Sequence, residues 1–210
     1  VFERVEGQWV ETAKLITPDA LSGDLIGKSV AIDGNTILLG VALDDQQGVI
    51  DRGSVAVYVL SEGVWSPEAK LLASDARAGD EFGHDIDLDG DRAAIGANQA
   101  DLGAVENAGS VYLFERAGSS WSEGSKVTAA VPGPIENFGS KVVFAEAALV
   151  VGAPHQNPDG LFQAGALQVF PFEADCNGNG IDDVDELVLE ASLDCNQNWI
   201  LDSCDLAAGT

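Results

Sequence analysis

Methionine is absent from this 210-residue chain, histidine occurs twice, cysteine three times, and Lys and Arg together number 10 against 35 Asp and Glu. Without methionine, Val1 is not a translation start, so the expectation is a processed or trimmed chain whose missing leader carries no information. The shortage of base leaves a formal net charge of −25. That makes nucleic acid and anionic membrane surfaces poor partners. The same excess of acid fits divalent cations or high salt, or solubility alone. No apolar run approaches the roughly 18 residues of a membrane-spanning helix, so membrane insertion is not expected.

Scarcity also argues against an enzyme. His84 and His155 occupy different places in the pattern described below, and neither has a Ser or Cys nucleophile arrangement nearby in sequence. No histidine cluster suggests zinc, and no glycine-rich loop has phosphate-binding spacing. Catalytic residues are therefore expected to be none. The three cysteines, Cys176, Cys195 and Cys204, all lie near the C-terminus. They allow one disulfide with three possible pairings and leave one thiol over. Such usage suits an oxidising compartment and suggests a further repeat carrying the missing partner.

What the chain does contain is a period. Gly27, Gly83 and Gly139 stand 56 residues apart (139 − 83 = 83 − 27 = 56). Gly40, Gly96 and Gly152 keep that step, as do Gly53, Gly109 and Gly165, Trp9, Trp65 and Trp121, and Lys14, Lys70 and Lys126. A period of this length marks propellers or solenoids, in which each unit buries its apolar faces against its neighbours.

Within a unit the pattern is β throughout. Phe82 to Leu88 alternates apolar and polar residues, an Asp89-Gly90 turn of type I′ follows, and Ala93 to Ala97 is small and apolar. A long polar loop from Asn98 to Ala108 leads to Gly109–Phe114, and Trp121 to Val127 completes four strands. Helical periodicity is absent from the first 170 or so residues. The expected fold class is all-β: four-stranded antiparallel propeller blades over residues 1–172, about three of them, with a small tail over 173–210. Val1 to Arg4 aligns with Leu113 to Arg116, so the chain opens on a third strand. A segment of a larger ring is expected, or copies associating through blade edges.

Phe82-Gly83 with Gly96-Ala97-Asn98, and Phe138-Gly139 with Gly152-Ala153-Pro154, resemble the FG-GAP repeat of integrin α-subunit propellers and of secreted bacterial proteins. The first unit departs from it, with Ile26-Gly27 and Gly40-Val41-Ala42. The tryptophans are expected to pack between blades. Integrin-type blades often carry a calcium loop between their first two strands, and only Asp87, Asp89 and Asp91 come near that pattern; a plain hairpin turn is the competing reading.

The tail carries the second motif. Asp175 to Glu186 fits the twelve-residue EF-hand-like calcium loop: Asp175, Asn177, Asn179, Asp183 and Glu186 supply side-chain oxygens, Ile181 its carbonyl, and Gly180 the sharp turn. Calcium, a hard cation, takes roughly six to eight oxygens, and a bidentate carboxylate closes the shell. Nineteen residues on (194 − 175), Asp194, Asn196, Asn198, Asp202 and Asp205, with the carbonyl of Ile200, repeat the set. Trp199 stands at the turn position of this copy, and its last ligand is the shorter Asp. A solvated acidic linker is the alternative. The Asp-Cys-Asn openings resemble thrombospondin type 3 repeats, and less closely dockerins, whose loops do not usually carry cysteine.

Together these features imply a non-enzymatic, extracellular or cell-surface calcium-binding protein for adhesion, protein or glycan binding, or surface assembly. Its partner is expected on the end carrying the loops 44–52, 98–108 and 155–164. An accessory module of a secreted enzyme and a structural subunit of an extracellular polymer are the alternatives.

Overall fold

A computed structural model of the chain describes residues 1–145 and 148–171. Strands β1 (Phe2–Val5) and β2 (Gln8–Glu11) form a two-stranded ribbon. A first sheet follows in strict order from β3 (Ile26–Asp33), β4 (Thr36–Val41), β5 (Ser54–Ser61) and β6 (Val64–Leu71). A second contains β7 (Asp85–Asp89), β8 (Arg92–Ala97), β9 (Ser110–Ala117) and β10 (Ser120–Val127), and a third β11 (Lys141–Ala145), β12 (Ala148–Ala153) and β13 (Ala166–Pro171). All strand pairs within the sheets are antiparallel. Apart from 3₁₀ turns at Gln46–Gly48 and Pro158–Gly160, there is no helix among the described residues.

The sheets stack face to face, which explains why their middle strands read as continuous apolar runs. On β9, Tyr112 and Phe114 pack toward the first sheet while Val111 and Leu113 pack toward the third. On β5, Val55 and Val57 meet the second sheet, and Ala56 and Tyr58 pack on the opposite face with Val1 and Leu15. The first strand of the second sheet, β7, touches both β3 and β11, whereas the outer strands β6 and β10 barely meet. Stacked wedges of this kind are propeller-like blades, and no closed ring is formed among the described residues.

Two of the periodic glycines are explained by this stacking. A Cβ on Gly40 would overlap the Gly83 carbonyl of the next sheet, and one on Gly96 would overlap the Gly139 carbonyl. Gly53 and Gly109, at φ +81° and +86°, form parallel bridges to Phe82 and Phe138, so each Phe-Gly pair is pinned to the preceding sheet rather than beginning its own strand.

The tight turns differ by one residue from the sequence expectation. Asp33 pairs with Thr36 and Asp89 with Arg92, so the two-residue loops are Gly34-Asn35 and Gly90-Asp91. Positive φ falls on Gly34 and Gly90 alone, which places glycine first in the loop and suits type II′ rather than I′. The tryptophans also differ among themselves. Trp121 packs on the core between the first two sheets and donates its indole N–H to Glu68 Oε1 at 3.2 Å. Trp65 packs on the first sheet's Ile37, Leu39, Ala56 and Tyr58 cluster, while Trp9 on β2 is 70% exposed.

Both ends of the stack carry uncovered apolar faces. Val30 and Ile32 on β3 are 59% and 60% exposed, whereas Ile86 and Leu88, in the same register on β7, are 6% and 8% exposed under the first sheet. At the other end Leu167 and Val169 on β13 are exposed, while their counterparts Val55, Val57, Val111 and Leu113 are buried.

Candidate functional site

The loops joining second and third strands, 42–53, 98–109 and 154–165, lie at one end of the stack with the connections between sheets. One device builds each of them. Asp45 Oδ1 accepts the Asp51 N–H at 2.9 Å, Asp101 Oδ1 that of Asn107 at 2.9 Å, and Asn157 Oδ1 that of Gln163 at 2.6 Å. The closing residues Asp51, Asn107 and Gln163 all have positive φ. A side-chain acceptor reaching six residues on thus holds a strained backbone at the same point of each loop.

The loops are then sewn to the connections. Gly79, Glu81 and Phe82 donate backbone N–H groups to the carbonyls of Ile50, Asp51 and Arg52 at 3.0, 3.2 and 3.1 Å. Ile135, Asn137 and Phe138 repeat this onto Glu106, Asn107 and Ala108 at 2.9, 3.2 and 3.0 Å. Each connection has its own buried acidic staple: Asp24, Asp80 and Glu136 accept the N–H of Leu21, Arg77 and Gly133 at 2.6, 2.7 and 3.0 Å. Burial pushes the Asp80 carboxyl up from its ordinary pKa. Apolar side chains stand exposed on this rigid end, Ile50 and Phe162 at equivalent loop positions and Val131 and Ile135 on a connection.

Ion pairs explain two of the three periodic lysines, Lys70 and Lys126. Lys126 Nζ crosses to Asp75 Oδ2 at 2.8 Å, and Lys70 Nζ reaches Asp19 and Asp44, each at 2.6 Å. The Lys70 ammonium holds the Asp19 carboxyl below its usual range. Burial works to raise Asp75, but hydrogen bonds from Lys126 and Tyr112 overcome it and leave that carboxyl low as well. Burial likewise opposes the charge on Lys70, and its bonds to Asp19 and Asp44 carry its pKa above the ordinary value.

The sequence candidates fall into two groups. Asp87, Asp89 and Asp91 sit at the opposite end and are each committed to protein donors: Asp87 to the Phe144 N–H at 2.6 Å, Asp89 to Arg92 at 2.8 Å and Asp91 to Arg116 at 2.7 Å. Among the described residues no group of three or more His, Cys, Asp or Glu is placed to hold a metal ion. The tail loops 175–186 and 194–205, with all twelve proposed calcium ligands and the three cysteines, lie outside the described residues.

Each histidine bonds a residue of a connection between sheets. His84 precedes β7 rather than lying in a strand running from Phe82 to Leu88, with Nδ1 3.1 Å from Glu81 Oε2. His155 Nδ1 is 2.7 Å from Asn137 Oδ1, the position where Gln99 bonds Glu81 one repeat earlier. Sequence reasoning missed the loop staples. Their signal was Asp45, Asp101 and Asn157 in register.

The strand order, the bridged Phe-Gly pairs and the repeated loop architecture describe one supersecondary unit used again and again. Residues 9–59 and 65–114 each match the FG-GAP repeat. Each match begins at or beside a periodic tryptophan of a fourth strand and runs through the next three strands, so the FG-GAP frame straddles two sheets. The third unit has the same strands in the same register. FG-GAP repeats are typical of extracellular or surface proteins. No curated protein matches the chain. No helix among the described residues is long and apolar enough to cross a membrane.

Proposed function

We propose that the chain is a non-enzymatic, extracellular adhesion module that binds a protein or glycan through the long-loop end of its FG-GAP blades, followed by a calcium-stabilised tail. The observation that carries this reading is the exposure of Ile50, Phe162, Val131 and Ile135 on an end whose loops are otherwise rigidly stapled. Exposed apolar groups on a fixed frame are what a partner can cover at little ordering cost. Surface plasmon resonance against panels of extracellular-matrix proteins and glycans tests it. Ile50→Ser and Phe162→Ser should abolish binding, and Asn35→Ser at the opposite end should not. Equal binding by all three would overturn the proposal.

Calcium belongs to the same proposal, with Asp175, Asn177, Asn179, Ile181, Asp183 and Glu186 as the tighter site and the 194–205 loop as the weaker. Two sites by calorimetry, one lost in Asp175→Ala and the other in Asp194→Ala, are expected. A second reading, head-to-tail assembly into an extracellular polymer, is favoured by the uncovered Val30/Ile32 and Leu167/Val169 faces. Concentration-dependent sedimentation, abolished by Ile32→Asp, would select it.

A further inference from the structure

One difference between the first two sheets opens a pocket, and the second sheet shows what would fill it. In the second sheet Tyr112 is buried, its ring edge-on to Phe82 with centroids 5.5 Å apart. Its hydroxyl donates to Asp75 Oδ1 at 2.6 Å. Lys126 Nζ bonds the other oxygen of Asp75 at 2.8 Å and lies 4.8 Å from the Tyr112 ring centroid. The phenol is thus held by a carboxylate at its tip and a cation over its face.

One period earlier the same holder stands without the ring. Asp19 corresponds to Asp75 and Lys70 to Lys126, and they are bonded through Asp19 Oδ2 at 2.6 Å. Position 56, corresponding to Tyr112, is alanine. A cavity of about 410 Å³ opens beside Ala56, Asp19 and Lys70, walled by Thr17, Tyr58 and Pro67. Tyr58 does not reach in to replace the missing group, because its hydroxyl donates to the Ile16 carbonyl at 2.8 Å. Lys70 is kept in place by a second acid, Asp44, which Gln46 of the long loop bonds at 2.7 Å. The pocket therefore lies at the root of the 42–53 loop.

We propose that this pocket receives a tyrosine side chain of a partner protein, its hydroxyl donating to Asp19 and its ring lying beneath Lys70. Attribution to a partner protein rests on the long-loop reading above; the phenol-binding chemistry does not. A preformed acceptor and cation favour a phenol over a phenyl ring, since only the phenol donates to Asp19 while its ring lies against the Lys70 cation.

Titration of the full chain with N-acetyltyrosinamide, followed by ¹H–¹⁵N NMR, tests the site. Saturable shifts are expected at Asp19, Ala56 and Lys70. N-acetylphenylalaninamide should bind about tenfold more weakly, and Asp19→Asn should weaken the tyrosine compound about tenfold while leaving the phenylalanine compound unchanged. Ala56→Tyr should fold, because position 112 already holds tyrosine in matching surroundings, and should abolish binding; Ala56→Leu is the second blocking variant. Absence of saturable shifts, equal affinity for the two amides, undiminished binding by folded Ala56→Leu, or tighter binding of a neutral hexose at the same residues would overturn the proposal. Tyrosinamide binding that survives while Phe162→Ser leaves ligand capture intact removes the long-loop reading alone. Loss of tyrosinamide binding with Phe162-dependent capture preserved removes the pocket alone.

Discussion

Gly96→Ala and Gly152→Ala make the same chemical change at the same position of consecutive repeat units, yet they should have opposite effects. A methyl on Gly96 would overlap the Gly139 carbonyl, a backbone atom that cannot swing aside, so the second and third sheets must separate. A methyl on Gly152 would meet nothing nearer than Lys141 Cβ at 3.4 Å, an ordinary contact. Neither glycine has positive φ, so backbone strain does not enter. Overpacking of this kind costs about 1–3 kcal/mol. Removing glycine's freedom from the unfolded chain returns about 0.4–1 kcal/mol in both variants. Gly96→Ala should therefore be destabilised by about 1–2 kcal/mol and Gly152→Ala stabilised by a few tenths. For a chain of this size a kilocalorie moves Tm by about 2–4 °C, giving a gap of roughly 5 °C between the two. Urea and thermal unfolding followed by tryptophan fluorescence reads both. Gly40→Ala, which would overlap the Gly83 carbonyl and the Ser29 hydroxyl, should behave like Gly96→Ala. Equal stability of the Gly96 and Gly152 variants would refute the reasoning from face-to-face stacking.

Ser54→Ala should cost about 1 kcal/mol because the buried Asp44 carboxylate loses a donor, while Ser110→Ala should be neutral or stabilising, since the buried Ser110 hydroxyl has no hydrogen-bond partner among the described residues; equilibrium denaturation separates them. Asp19 and Asp75 have lowered folded pKa values, so the stability they contribute is present above the ordinary carboxylate range and is lost as pH falls through the lower folded values. An Asp19→Asn/Asp75→Asn double variant should flatten the acid limb of the stability–pH curve. Asp80 has the opposite sign: its raised pKa means that protonation favours the fold, so Asp80→Asn, which keeps an acceptor for the Arg77 N–H, should match or exceed the parent at neutral pH. Chelation should make the chain from Asp175 onward the first site of proteolytic cleavage while residues 1–171 stay intact, as mass spectrometry of the digest would show.

Periodicity carried most of the architecture because a landmark does the same physical job wherever the next sheet is present beside it. The glycines at 40 and 96 exist for backbone approach between sheets, and the lysines at 70 and 126 for ion pairs across them. Where a job depends on a neighbour, spacing alone misleads. Trp9 keeps the register of Trp121 yet lies exposed, because no sheet among the described residues packs over it. The hairpin turns were displaced by one residue because Asp-Gly reads as a turn pair, whereas the ladder runs on through the aspartate and glycine takes the first loop position. His84 falls inside the segment expected as a strand, Phe82 to Leu88, because the Phe-Gly pair before it reads as part of that strand, whereas Phe82 forms the bridge with Gly53. The pocket at Ala56 was invisible for a different reason. It arises from a departure from the repeat, alanine where the next unit has tyrosine, and a search for recurring residues passes over the position that fails to recur.

A crystal structure of the full chain grown in calcium is the most direct measurement of whether these repeat units are stacked blades whose long loops share one end. Superposing residues 26–71 on 82–127 should match strand for strand, with Gly27 on Gly83 and the loops 42–53 and 98–109 leaving the same end. The second sheet should carry onto the third by the operation that carries the first onto the second. A helix within any unit, successive sheets related by different operations, or long loops emerging at opposite ends would contradict it.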